Sequence, residues 1–532
     1  MTLDYQPVLM RFRAPFARAE GCLCCPTSAL PIDIFRVLVG LLSSAYFFHL
    51  FAQVSDFSGP DGLIDHTLTR QLFWYTKVGF FGPGMSAGAF KVVFLAAAIA
   101  SWALVIGYRV KPIAAALFVT AVSAYRWNFL VIYVDDAIMH LVLFWLILLP
   151  VGKTLVLSEW LRDRDKAIER WKLEMVAGGA VRCFLVNLAL VYVVAGLWKW
   201  TSPMWRDGTA LYAVLRMPIS YRPDFWRPEH LPMLRLANYG AMTLEPILPA
   251  MFVLPTNHRI KWALLAGAVT FHFGIVATMM IPYANLACVA AAAIVFRHEI
   301  MLWLVGPRAN PSPSPVAPGS RWCTVSSLAF VLVLTLAMLG EMRVPSWRFP
   351  SRQTGSPILD QARDGRVGFM HSEHNVFYTP LWFIGIAQSY RLFDWVDDRN
   401  FSFRYKVTER RANGLTRGVD PLELFPSSLR SVLLQGYLHD LTWGRVPRSR
   451  SREFKAGLFS RFANRFCRAH PGAGQIEVRA QVERLGHDRP SVPGVPGVPA
   501  SPELMMLFNC SGARSIVLYP HLESAASLAT AP

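Results

Sequence analysis

Charge is scarce in this chain. Asp, Glu, Lys and Arg make up 17% of 532 residues, against about 25% in ordinary soluble domains. Hydrophobic residues supply 53% and the mean hydropathy is +0.33. This balance excludes a simple soluble enzyme and points to a polytopic membrane protein. Acidic residues are rarer than basic ones, 35 against 53, which leaves a net charge of +18. In such a chain, excess Lys and Arg mark short loops beside anionic lipid. No nucleic-acid partner is expected, because the basic residues are scattered and no recognition motif accompanies them.

Familiar chemical motifs are missing as well. The chain has no glycine-rich phosphate loop, no GxSxG and no HExxH. No His, Cys, Asp or Glu set has metal-ligand spacing, so no metal is expected. Cysteine is sparse, with eight residues. Cys22, Cys24 and Cys25 have no partner cluster at zinc spacing and fall in a tail expected to be reduced. Cys183, Cys288 and Cys323 lie in or beside apolar runs, where cysteine acts as a small hydrophobe. Cys467 and Cys510 can pair if their domain is outside the cell, and the sequence leaves both states open. Residues 1–31 carry Arg11, Arg13 and Arg18 and lack a signal-peptide core, so a cytoplasmic tail is expected. No internal repeat or matched pair of broken helices is visible, which argues against a transporter.

What is abundant is apolar sequence in runs of span length. Spans are expected at about 33–53, 87–107, 113–133, 137–151, 181–199, 241–255, 262–282, 286–296 and 322–341. Residues 54–86 and 200–240 read as long loops. The stretch after Phe296, with Arg297 and His298, reads as an interfacial helix to about Val305. Lys and Arg concentrate in the N-terminal tail, GYRVKP, 152–180, 256–261 and 297–321, which places these segments on one side. The expected arrangement is a multi-pass protein with a cytoplasmic N-terminus and an outer C-terminal domain. Its fold class is an all-α polytopic membrane bundle of about nine helices followed by a smaller extramembrane α+β domain. The boundaries are 1–31 for the tail, 32–305 for the membrane domain, 306–321 for a Pro/Ser linker and 322–342 for the last span. The α+β domain follows at 343–520 and a disordered tail at 521–532. Within that domain, Ser402–Glu409 and Gln475–Val482 alternate like strands, while Ser427–Thr442 and Arg452–His470 have helical periodicity.

The stretch that carries chemistry is Val191–Gly208, VYVVAGLWKWTSPMWRDG. Lys199 ends an apolar run between Trp198 and Trp200. A lysine there either snorkels to the headgroups or is kept neutral for chemistry. Trp205, Arg206, Asp207 and Gly208 follow at once and predict a folded cap over the amine. Glu245, inside a span and followed by Pro246, is either a functional carboxylate or a charge partner locking helices together. His272, inside the seventh span, is either catalytic or a hydrogen-bonding bridge between helices. Asp136 and His140 share a helix face four residues apart and read as structural. Asp33 and Arg36, one turn apart, are expected to pair.

These residues resemble the membrane domain shared by vitamin K-dependent gamma-glutamyl carboxylase and the bacterial HTTM (horizontally transferred transmembrane) proteins. The resemblance rests on Ala195-Gly196, Lys199, Trp205-Arg206-Asp207-Gly208 and Phe271-His272, with Asp33-Ile34-Phe35-Arg36 and Leu149-Pro150 beside them. It covers about residues 30–305. The interval from lysine to tryptophan is one residue longer here than in the carboxylase, and the soluble half carries no visible likeness to it.

The resemblance implies a membrane enzyme, in bacteria one of the inner membrane, in which Lys199 is the base that deprotonates a reduced quinone of the menaquinone or vitamin K type. It implies His272 as a second catalytic residue, with Trp200, Trp205, Asp207, Gly208 and Glu245 around the cofactor or substrate. Membrane lipid, a quinone, and an exported peptide or small molecule are the implied partners. The alternative is a non-catalytic transporter or an anchor for the C-terminal domain. The surroundings of Lys199 separate the two readings.

Overall fold

A computed structural model describes residues 25–306 (except 60, 61, 73 and 132), 320–341, 381–386 (except 382), 401–425 (except 412), 428, 448–484, 503–510 and 516–518. Most of the expected linker, all but Ser428 of the helix expected at Ser427–Thr442, Arg11, Arg13, Arg18, Cys22, Cys24 and most of both tails lie outside this set.

Apolar runs become helices, as their composition dictates. Long α-helices stand at α1 Leu30–Phe57, α3 Ala87–Ile106, α4 Val110–Trp127, α5 Val134–Leu148, α8 Gly179–Thr201, α11 Leu231–Ile247, α12 Arg259–Thr278, α13 Pro282–Val295 and α15 Ser320–Glu341. Short helices between them are α2 His66–Leu72, α6 Leu157–Arg162, α7 Arg164–Leu173, α9 Pro203–Arg206, α10 Ala210–Arg216 and α14 Arg297–Val305. Among the described residues, four helices are long and apolar enough to cross a membrane: α1, α3, α8 and α12. The count reaches five if α13 and α14, bent by 60°, form one broken span. The remaining expected spans are helical but shorter or more polar. The sixth differs most in position, running over 231–247 and not 241–255. Arg235, Asn238 and Tyr239 hide its first half in the sequence. The outer face of α3 keeps Val92, Ile99 and Trp102 exposed, a surface suited to lipid.

One charged knot ties the start of α1 to the end of α3 and to the loop after α5. Asp33 accepts Nε of Arg36 at 2.8 Å and the backbone N–H groups of Gly152, Lys153 and Thr154 at 2.6–2.9 Å. Arg36 donates onward to the carbonyls of Leu104, Val105 and Leu155. Buried charge is tolerated there because its polar partners are supplied.

Strand β1 (Pro26–Ser28) pairs antiparallel with β2 (Met175–Ala177). The end of the expected tail is therefore a strand. Because these strands lead directly into α1 and α8, both helices start at the same end of the bundle. Phe35 against Phe184, with centroids 5.1 Å apart, fits that alignment. Phe57 and Lys199 thus both approach the opposite end.

The C-terminal part is a five-stranded antiparallel sheet in the order β4-β3-β5-β6-β7. Its strands are β3 Phe401–Arg411, β4 Thr416–Val419, β5 Ala473–Arg484, β6 Glu503–Asn509 and β7 Ile516–Leu518. One-turn α16 (Pro421–Leu424) and long α17 (Arg448–Ala469) complete it. The alternating Tyr405, Val407, Ile476 and Val478 turn one sheet face to Phe459, Phe462 and Phe466 of α17. A disulfide joins Cys467 to Cys510.

This domain is seated on the end of the bundle that holds Phe57. Phe57, Leu63, Ile64 and Phe129–Val131 share its hydrophobic cluster. Arg465 pairs with Asp56 at 2.5 Å, and Arg461 donates to the Gly62 carbonyl at 2.7 Å. Residues 381–386 reach into the bundle. Arg126 donates to the Phe383 carbonyl, and Nδ1 of His140 lies 3.2 Å from the Gly385 carbonyl. Asp136 accepts from Tyr46 Oη at 2.7 Å and from the Tyr133 amide. Asp136 and His140 thus each tie α5 to another part of the chain.

Candidate functional site

Lys199 sits in the last turn of α8 and is 1% exposed. Its Nζ lies 2.5 Å from Oε2 of Glu245, itself buried near the end of α11. The ring of Trp205 stands 5.2 Å from the same nitrogen, in cation–π range. The lysine does not snorkel. Two apolar helices hold its stem, and a carboxylate and an indole face meet its head.

Close approach of α8 and α11 makes this pair possible. Gly196 is the contact point, where an added Cβ would stand 2.6 Å from Cδ of Pro246. Pro246 cannot donate to the carbonyl four residues earlier, that of Met242. The indole N–H of Trp200 takes that vacancy, donating to the Met242 oxygen at 3.1 Å. Trp200 is 51% exposed and braces the proline break from outside, while Trp205 is the tryptophan that covers the amine.

The cap over Lys199 is local. Ser202 accepts the Trp205 amide and starts α9, and Asn238 of α11 reaches across to it. Its Nδ2 donates to the Trp205 carbonyl at 2.8 Å, and its Oδ1 accepts the Leu211 amide at 3.2 Å. Tyr239 Oη donates to the Arg206 carbonyl at 2.9 Å. Gly208 makes the turn after α9 with φ +75, and a Cβ there would press on Arg235 and Tyr239. Gly208 is thus a shape requirement of the cap. Asp207 is exposed at the end of α9.

His272 belongs to a second cluster. Its Nε2 lies 2.8 Å from Tyr192 Oη of α8, and its Nδ1 lies 2.8 Å from Asn285 Oδ1 of α13. Tyr192 is seven residues before Lys199, about 10 Å along the same helix. A cavity of about 20 Å³ opens beside this cluster, lined by Leu188, Tyr192, Ala268, His272 and Cys288 among others. That is room for about one water. Tyr192, Asn238 and Asn285 escaped the sequence reading. They are neutral polar residues inside helices, and only partners distant in the chain give them meaning.

The pair at Lys199 has a counterpart. Lys261 Nζ lies 2.6 Å from Oε1 of Glu299, both buried, with the Phe296 ring 4.7 Å from the amine. No group of three or more His, Cys, Asp or Glu side chains suited to a metal occurs among the described residues. Comparison with protein-family models, curated proteins and solved structures gives no match to this chain.

Proposed function

We propose that this chain is an HTTM-type integral membrane enzyme, similar in kind to gamma-glutamyl carboxylase, with Lys199 as its base. The observation that supports the reading is a buried amine held by a buried carboxylate, under an indole lid and cut off from water. Separated charge is costly in such surroundings, and the proposal requires the pair to pass one proton between its members. Passing one proton from Lys199 Nζ to Glu245 yields a neutral amine and a carboxylic acid, with no net change. The neutral amine can then accept a proton from a substrate. Trp205 shelters the amine, Glu245 holds the proton, and Asn238 keeps the cap closed. His272, bound to Tyr192 and Asn285, acts elsewhere and is no partner of Lys199 in this step.

A reduced quinone is the cofactor that the resemblance implies. The chemistry at Lys199 suits it, but the described space does not. The cavity beside His272 takes about one water, and the head of Lys199 is already met by Glu245 and Trp205. A quinone ring does not fit these residues as they stand, so the enzyme reading requires the cap over Lys199 to open when a quinone binds. The nine-span topology, with the C-terminal domain outside, belongs to the same proposal. The Cys467–Cys510 bridge supports it, since such bonds persist in oxidising compartments.

The second reading is an anchor that carries the C-terminal domain, with Lys199–Glu245 as a helix lock. The Lys261–Glu299 pair favours it, because the same construction recurs where no site is proposed. Extraction of bound lipid from the purified protein tests the two. The enzyme reading expects a quinone in the native protein and a loss of at least severalfold in Lys199→Ala, with Lys261→Ala unchanged. No quinone in the native protein, or equal amounts in native and Lys199→Ala, leaves the anchor.

A further inference from the structure

Asn285 settles a direction that a histidine ring leaves open. Its Nδ2 donates to the Ile281 carbonyl at 2.6 Å. Its Oδ1 therefore faces His272 Nδ1 as an acceptor, and His272 must carry its proton on Nδ1. That leaves Nε2 with a free lone pair, 2.8 Å from Tyr192 Oη, so the phenol donates. The Cys288 thiol is hydrogen-bonded to the same tyrosine. Three helices thus build a proton-bearing hydroxyl, a neutral imidazole to receive its proton, and an amide that orients the imidazole. This is the arrangement by which a weak nucleophile or acid is activated. It faces a cavity whose other walls are Leu, Met, Val and Ala.

We infer that Tyr192 and His272, oriented by Asn285, form a proton relay serving a small uncharged molecule seated in this cavity. Apolar walls disfavour a guest that enters as an ion, and the free space limits it to about the size of a water molecule. A guest X–H gives its proton to Tyr192 Oη as the tyrosine proton moves to His272 Nε2. The products are X⁻ and an imidazolium whose Nδ1–H stays on Asn285, and the charges balance. Asn285 is a positioning residue. The relay stands apart from the Lys199 proposal and does not require it.

The test uses the full chain in detergent with ¹⁵N-labelled histidine, its His272 signals identified by their loss in His272→Gln. The expected spectrum has a proton on Nδ1 and a hydrogen-bonded Nε2. In Tyr192→Phe, Nε2 should shift to the position of a free imine nitrogen. In Asn285→Ala, the single tautomer should give way to a mixture. Transfer to D₂O should produce an isotope shift at Nε2 within minutes, because the relay exchanges with the cavity. Xenon, a small uncharged probe, should shift both His272 signals in the native protein but not in Ala268→Phe, which fills the cavity. A proton on Nε2, no response to Tyr192→Phe, no Nε2 isotope shift after hours in D₂O, or no xenon shift in the native protein would each overturn the inference. The D₂O result separates a working relay from a sealed structural bridge with the same geometry.

Discussion

Single buried residues decide how this protein treats charge. His66 shows it outside the membrane-spanning helices. Its ring stacks on Trp127 with centroids 4.1 Å apart, and its nitrogens face the carbonyls of Phe57 and Trp127. Burial chiefly lowers its pKa to about 4; the two carbonyls and Asp65 oppose the shift, and Arg461 adds to it. Burial thus favours a neutral imidazole in the fold, which donates to only one of the two carbonyls, whereas the unfolded chain protonates near 6.5. Stability is unaffected above pH 6.5 and falls as the pH drops from 6.5 toward 4. The cost reaches about 3 kcal/mol below that range. Unfolding of native protein and His66→Gln at pH 7 and pH 4 measures it. The native protein should lose more stability than the variant over that interval, and equal losses would remove His66 from the account.

The residue scale also shows what the sequence could reveal. Lys199 and Glu245 were visible because charge inside an apolar run is costly and must be explained. Trp205 was visible as part of a compact motif after the lysine. Trp200 is half exposed for a geometric reason: neighbours on a helix point about 100° apart, so the residue beside an inward lysine turns outward. Asn238, Tyr192 and Asn285 carry no net charge and interrupt no pattern strongly. The pairing of His272 with Tyr192 spans 80 residues, and nothing local encodes it.

At the scale of elements, the site depends on how closely α8 and α11 approach. Gly196 sets that approach against Pro246, so Gly196→Leu should force the helices apart. Overpacking of this kind costs about 1–3 kcal/mol. The same change should expose the Lys199 amine, read as faster modification by a small amine reagent. A stable variant with the native reactivity would mean that the contact is not what encloses the pair. Helices were legible from their apolar runs, and so were β3, β5 and α17 from their periodicity. The start of α11 was not, because Arg235, Asn238 and Tyr239 interrupt its apolar run. Strands β1 and β2 were missed for another reason. Three residues in each are too few for alternation to appear.

At the scale of the whole molecule, the question is how the C-terminal domain sits on the bundle. The sequence indicated that the domain and Lys199 share a side, and the shared start of α1 and α8 puts Lys199 and the seat of the domain at one end. It did not show where the domain rests. Its described contacts run to Asp56, Gly62, Asp65 and the Phe129–Val131 turn, while the cap over Lys199 comes from α9, α10 and α11. Removing both seat arginines, Arg461→Ala with Arg465→Ala, should free the domain without opening the lysine site. Limited proteolysis should then cut the chain between bundle and domain severalfold faster, and an unchanged rate would show that the apolar cluster alone holds the seat. Reduction of Cys467–Cys510 should loosen the domain itself. Closing a loop with a sequence separation of 43 residues contributes about 4 kcal/mol in the chain-entropy account.

The central claim is that the Lys199–Glu245 pair exists for proton transfer and not to hold two helices together. Replacing both members by apolar residues of similar size, Lys199→Met with Glu245→Leu, tests it most directly. Removing one partner leaves a bare buried charge and costs about 3–5 kcal/mol, whereas replacing both is neutral or stabilising. The double variant should therefore melt at or above the native temperature while its bound quinone falls severalfold or more. A double variant that melts lower and keeps the native quinone content would make the pair a lock, and the enzyme reading would be wrong.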